Sequence, residues 1–182
     1  MGTNKKNCEF SLELTQLIPR LTRYALLLTH NKSDSEDLVQ ATLLRALNKQ
    51  KQWHTGTNLD RWVFTIQSSI WKNELRSRYY RQSTDSKPID SFEDSSSISD
   101  PQRTFLLQQV LKEVMNLSEK QRIPILLVYV EGFSYQEAAD ILDIPIGTVM
   151  SRLVRARLRL ADKFNMPASQ SNDTLSTQNT EL

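Results

Sequence analysis

The run from Phe133 to Leu160 constrains this chain more than any other stretch, because its local signals permit one arrangement. Ser134 and Glu137 have the S-x-x-E spacing of a capping box, in which each side chain satisfies a backbone N–H at a helix start. Ala138 and Ala139 are small enough for close helix packing. Asp143, Ile144 and Pro145 end that helix, since proline disfavours helical geometry in the residue before it. Gly147 and Thr148 then open another. Wound as a helix, Val149, Leu153, Ala156 and Leu160 fall on one face, with Ser151, Arg152, Arg155 and Arg159 opposite. This is a helix-turn-helix whose second helix is apolar inside and basic outside. Arginine can fork to guanine edges or to phosphates, and serine can serve either. A solvated surface helix shares the amphipathic pattern but lacks the ordered cap, breaker and basic helix. DNA binding is the expectation.

The remainder reads as all-α. Only 4 glycines occur in 182 residues, and apolar residues recur at helical spacing. The formal net charge of +2 conceals segregation. Residues 61–82 hold five bases against Glu74 alone, 84–100 five acids against Lys87 alone, and 146–164 five bases against Asp162 alone. Two basic modules joined by an acidic strap point to two contacts with a polyanion. The single cysteine, Cys8, excludes an internal disulfide and fits a reducing cytoplasm. With only His30 and His54 beside it, no zinc cluster can be drawn. No apolar run approaches the roughly 20 residues of a membrane span. No nucleophile–base pair or glycine-rich phosphate loop is present, so neither an enzyme, a cofactor nor a small-molecule substrate is expected.

The chain divides into two small helical domains joined by a flexible linker. A disordered start, 1–9, precedes a first domain over 10–82. Leu12, Leu14, Leu17, Ile18, Leu21, Tyr24, Ala25 and Leu28 recur helically there, with Pro19 ending or kinking the first turns. A second helix starts near Asp34, read as its cap, and runs to about Lys49. After a polar break at His54–Asn58, a long helix covers Leu59–Tyr80. The segment 83–100, rich in serine and acid, cannot bury enough surface to offset its ordering entropy. Asp100 and Pro101 start a second domain, 101–164, of four helices: Gln102–Met115, Glu119–Val130, Tyr135–Leu142 and Gly147–Phe164. Ser118 and Gln121 supply a further capping box. A polar tail, 165–182, is expected to be disordered.

On the long helix, Arg61, Thr65, Ser68, Ser69, Lys72, Arg76 and Tyr79 share one sector, while Trp62, Val63, Ile66 and Ile70 face the core. A basic, hydroxyl-bearing stripe near aromatic rings suits nucleic acid with exposed bases. On the helix before it, Val39, Leu43 and Ala46 face inward, whereas Asp37, Gln40, Leu44 and Asn48 share the polar side. A leucine among hydrogen-bonding groups is either commonplace or a docking patch.

Three stretches carry a resemblance. DSEDLVQATLLRAL at Asp34–Leu47, TNLDRWVFTI at Thr57–Ile66 and FSYQEAADILDIPIGTVMSRLVRARLRL at Phe133–Leu160 resemble the extracytoplasmic-function (ECF) sigma factors, promoter-specificity subunits of bacterial RNA polymerase. The opening LIPRLTRYALLLTHN is similar to the general-stress branch. The resemblance covers roughly Leu17–Arg81 and Gln102–Lys163. It implies that Asp37, Leu38, Gln40 and Leu44 grip the polymerase clamp helices. It implies that the break Trp53–Leu59, with Thr57, Asn58 and Leu59, captures a base flipped from the minus-ten element, supported by Arg61, Ser69, Lys72, Asn73 and Arg76. Thr148, Ser151, Arg152 and Arg155, with Arg159 beside them, would read the minus-thirty-five element. Apolar groups of Leu117–Val130 would dock on the polymerase flap, and an anti-sigma protein would wedge between the domains. Ala41, Ser69 and Met150 depart from residues common in the family, an acid, an asparagine and an arginine respectively. Rival readings are a stand-alone helix-turn-helix regulator and an adaptor that binds no DNA.

Overall fold

The computed structural model describes residues 2–53, 57–81 and 101–164, and every regular element among them is helical. Helix α1 spans Gly2–Thr29, so the expected disordered start 1–9 is corrected: from Gly2 onward it is helical. Phe10 explains the anchorage. It is 1% exposed, with its ring 5.4 Å from that of Trp53 and 6.3 Å from that of Trp62. Pro19 lies inside α1 without ending it, because Leu14 on one side and Leu21 and Tyr24 on the other are buried in the same core.

His30, at a positive φ of 59°, turns the chain into α2, Lys32–Asn48. The cap is Asn31, not Asp34: the Asn31 side chain accepts the Asp34 N–H at 3.0 Å. Asp34 instead accepts from Arg78 at 2.7 Å, tying α2 to α3, Leu59–Arg81. The three helices close around Leu21, Tyr24, Leu28, Ala46, Val63 and Phe64. Gln67 is fully buried there and donates to the Leu21 carbonyl, a core role that periodicity did not mark.

The second half contains α4 (Pro101–Met115), α5 (Glu119–Ile125), α6 (Tyr135–Leu142) and α7 (Ile146–Phe164). The Ser118 capping box does not form: that hydroxyl donates to the Gln121 side chain and caps no backbone N–H. The helix expected over Glu119–Val130 also changes register, passing into a π-turn at Leu126–Val130. The Glu131 N–H donates to Leu126 and the Phe133 N–H to Leu127. Pro124, which lacks an N–H, has already removed one rung of the regular ladder. The box at Ser134 forms as expected, with both reciprocal bonds to Glu137. Asp143 ends α6 in the left-handed conformation, φ 53°, and the Ile144 N–H returns to the Ala139 carbonyl.

The two halves pack directly on one another. Phe133 meets Phe64 edge-on, and the Arg20 guanidinium lies over both rings, 5.2 Å and 5.6 Å from their centroids. The expected linker, 83–100, and tail, 165–182, lie outside the described residues.

Candidate nucleic-acid and polymerase interfaces

Asn58 accepts the Trp62 N–H where α3 begins, so the chain entering that helix is held against its first turn. There a cavity of about 310 Å³ is lined by Gln52, Trp53, Thr57, Asn58, Arg61, Trp62, Thr65 and Asp140. Two indoles supply flat apolar walls, while amide, hydroxyl and guanidinium groups supply donors, a combination suited to stacking and edge recognition of a base. Trp62, expected in the core, is half-buried and forms a wall of this cavity. Trp53 was not singled out by periodicity, because it lies in the break before α3. Thr57, Asn58 and Arg61 are thus brought together. Leu59, expected with them, is buried and takes no part in the lining, and His54 lies outside the described residues.

Ser69, Lys72, Asn73 and Arg76 are exposed further along α3, beyond the cavity. Ser68 corrects the expected stripe: it is buried, 3.3 Å from the Tyr24 hydroxyl. Burial pushes the Tyr24 phenol well up. The side chain of Tyr79 lies outside the described residues.

On α7, Val149, Leu153 and Ala156 are fully buried. Ser151, Arg155 and Arg159 are exposed, and Thr148 and Arg152 are partly so. The Ser151 hydroxyl donates to the Thr148 carbonyl, which holds it on the outer face. The five residues form one polar arc able to enter a groove.

Asp37, Gln40 and Leu44 are exposed on α2, with Leu44 63% accessible. Leu38 is buried and lines a cavity between α2 and α3 with Asp37, Ala41 and Trp71. Arg78 closes that cavity by bonding Asp34 and Glu74 and lying over Trp71. Burial opposes its charge, but the two carboxylates outweigh that and raise its pKa. In the other half Leu117, Ile125, Leu126 and Leu127 are buried, leaving Tyr129 and Val130 exposed.

The family described as Sigma-70, region 4, matches residues 107–160, and the Sigma2 domain of PhyR matches residues 14–68. The ECF RNA polymerase sigma factor EcfG of Rhodopseudomonas palustris is 34% identical over 151 residues, covering 82% of this chain and 81% of that one. The chain belongs to the ECF RNA polymerase sigma factors. An ECF sigma-E factor of Haemophilus influenzae is 28% identical over 154 residues, covering 79% of each chain. The sigma factor RpoE of Bartonella quintana, solved in complex with the anti-sigma factor NepR, superimposes with a TM-score of 0.73 at 35% identity. That match covers 86% of this chain and 97% of RpoE.

This sigma factor is therefore a regulatory subunit that directs RNA polymerase to promoters, and the stand-alone regulator is not favoured. The PhyR match and the NepR-bound relative agree with the general-stress branch. Among the described residues no helix is long and apolar enough to cross a membrane, and no group of three His, Cys, Asp or Glu could hold a metal ion.

Proposed function

We propose that the two halves divide promoter recognition as sigma domains 2 and 4, with core polymerase holding both. The α2 face of Asp37, Gln40 and Leu44, with Leu38 supporting it from below, docks on the clamp helices. The cavity bounded by Trp53, Asn58, Arg61 and Trp62 takes an unstacked base of the downstream element. Unstacking costs a few kcal/mol, which a fitted pocket offsets. Ser69, Lys72, Asn73 and Arg76 track the adjoining backbone, and the outer arc of α7 reads the upstream duplex. Tyr129 and Val130 offer apolar area to the flap.

The observation that carries this reading is the cavity itself: two indoles and six polar side chains converge at the start of a helix whose exposed stripe is basic. The protein acts in the cytoplasm without catalysis of its own, and a small helical anti-sigma protein silences it. The NepR complex of the relative RpoE supports that last element. Abortive transcription with purified core polymerase on candidate promoters tests the whole. Promoter-dependent product is expected, and Arg61→Ala should reduce open-complex formation more than closed-complex binding. Equal activity of that variant in both steps removes the strand-capture assignment.

A further inference from the structure

Phe10 touches both indole walls of the strand cavity without lining the cavity itself. Its ring lies 5.4 Å from that of Trp53 at an interplanar angle of 52°, and 6.3 Å from that of Trp62 at 68°. The two walls come from different elements. Trp53 follows the short turn Gln50–Gln52 after α2, whereas Trp62 stands in the first turn of α3. Tilted and edge-on contacts are favoured by the quadrupole of each ring, so they set an angle as well as a distance. An aliphatic side chain fills similar space but sets no angle.

The other restraints on Trp53 are weak. Its indole N–H is buried and has no hydrogen-bond partner among the described residues, so no polar contact fixes the rotation of the ring. Its backbone N–H donates to the Gln50 carbonyl at 3.1 Å, which closes the turn but leaves the side chain to packing. The turn is tied to α1 one helical turn before Phe10, where the Gln50 amide donates to the Asn7 side chain at 3.2 Å. That bond is solvent-exposed and adds little strength. Asn7 and Phe10, three residues apart, share the α1 face that meets this turn. Phe10 is 1% exposed and Leu14, a turn further on, is 4%, so the core holds this stretch of α1 in place.

A base gains most from stacking on walls that are already oriented, because walls ordered only on binding lose part of that gain. The cavity supplies the walls, and the ring that touches both of them lies behind it, near the start of α1.

We propose that Phe10 is a positioning residue for strand capture. By packing against Trp53 and Trp62 together, it holds the two indoles in the orientation that an unstacked base requires. The first turns of α1 thereby act in promoter opening, although Phe10 contributes no surface to the cavity. The proposal rests on the strand-capture reading of that cavity.

The test uses holoenzyme assembled from core polymerase and the full chain, on a promoter whose downstream element is already melted. The non-template strand carries an abasic site at each position in turn. With the parent protein, the abasic site at the captured position should shorten the lifetime of the complex about tenfold, the worth of one stacked base. In Phe10→Leu that same site should cost about twofold or less, with the other positions unchanged, because residues acting as a unit do not add. Phe10→Met, whose thioether packs on aromatic edges, should recover part of the penalty. Leu28→Val, in the same core but away from the indoles, controls for stability alone and should keep the full penalty. Trp62→Ala removes a wall directly and should lose it. A full penalty in folded Phe10→Leu, with the penalty lost in Trp62→Ala, overturns the positioning role and leaves the cavity reading intact. Should Phe10→Leu not fold, a full penalty in Phe10→Met overturns it equally. If no abasic position matters to the parent, or Trp62→Ala keeps the penalty, the strand-capture reading has failed instead.

Discussion

Phe64 and Phe133, on opposite halves of the chain, meet edge-on with their ring centres 5.1 Å apart. Phe64 is fully buried and Phe133 is 5% exposed, so neither half completes its apolar surface alone. We expect one cooperative urea transition for the described residues, reported alike by far-ultraviolet dichroism and tryptophan emission. Phe133→Ala should lower its midpoint, at a cost of about 3–5 kcal/mol if the site does not collapse. Two separated transitions in the parent protein would show that the halves are energetically independent.

Leu38 and Leu44 separate structure from docking. Leu38 is 6% exposed and Leu44 63%, on the same helix. Leu38→Asp buries a carboxylate between α2 and α3, close to Asp34, Asp37 and Glu74, and should lower the midpoint of that single transition. Leu44→Asp should leave stability within about 0.5 kcal/mol, yet abolish co-elution with core polymerase. Retained co-elution would remove α2 from the polymerase interface.

The α7 arginines should divide by kind of contact. Arg155→Ala is expected to cost about 1–3 kcal/mol on the preferred upstream duplex and to relax sequence preference. Arg159→Gln, nearer the helix end, should weaken all duplexes alike and reduce the slope of log affinity against log salt by about one. Holoenzyme titrations on matched and mismatched promoters at several salt concentrations measure both. An unchanged preference in Arg155→Ala would contradict base reading by that residue.

His30 makes stability depend on pH. Burial, with the Arg122 guanidinium adding to it, lowers its imidazole from 6.5 to about 4. Between those values the unfolded chain binds more protons than the folded one. Its contribution is therefore complete above pH 6.5 and lost as pH falls toward 4. The residue is only partly exposed, and allowing for solvent screening the effect is about 1 kcal/mol. His30→Asn tolerates the positive φ and should flatten this part of the profile. An identical pH slope in parent and variant, by urea denaturation, would count against it.

The helix-turn-helix was legible in the chain because all its determinants are local. The Ser134 box, the Asp143–Pro145 stop and the inward spacing of Val149, Leu153 and Ala156 act within a few turns, and each stands as expected. The same holds for the outward arcs of α2 and α7. Asn31 displaced Asp34 as a cap because Arg78, 44 residues away, offers Asp34 an ion pair that helical periodicity cannot reveal.

Residue order alone thus settled the helical class, the two modules and the outward chemistry of their helices, since each follows from spacing and end signals along one segment. Folding in three dimensions settled which polar groups became interior. Glu131, Gln67 and Ser68 are buried among partners from distant helices, and Trp53 and Asp140 meet across the two halves only to line one cavity. Such encounters depend on the π-turn and on packing of the halves, where a carboxylate can replace its water only when two arginines from another helix arrive together.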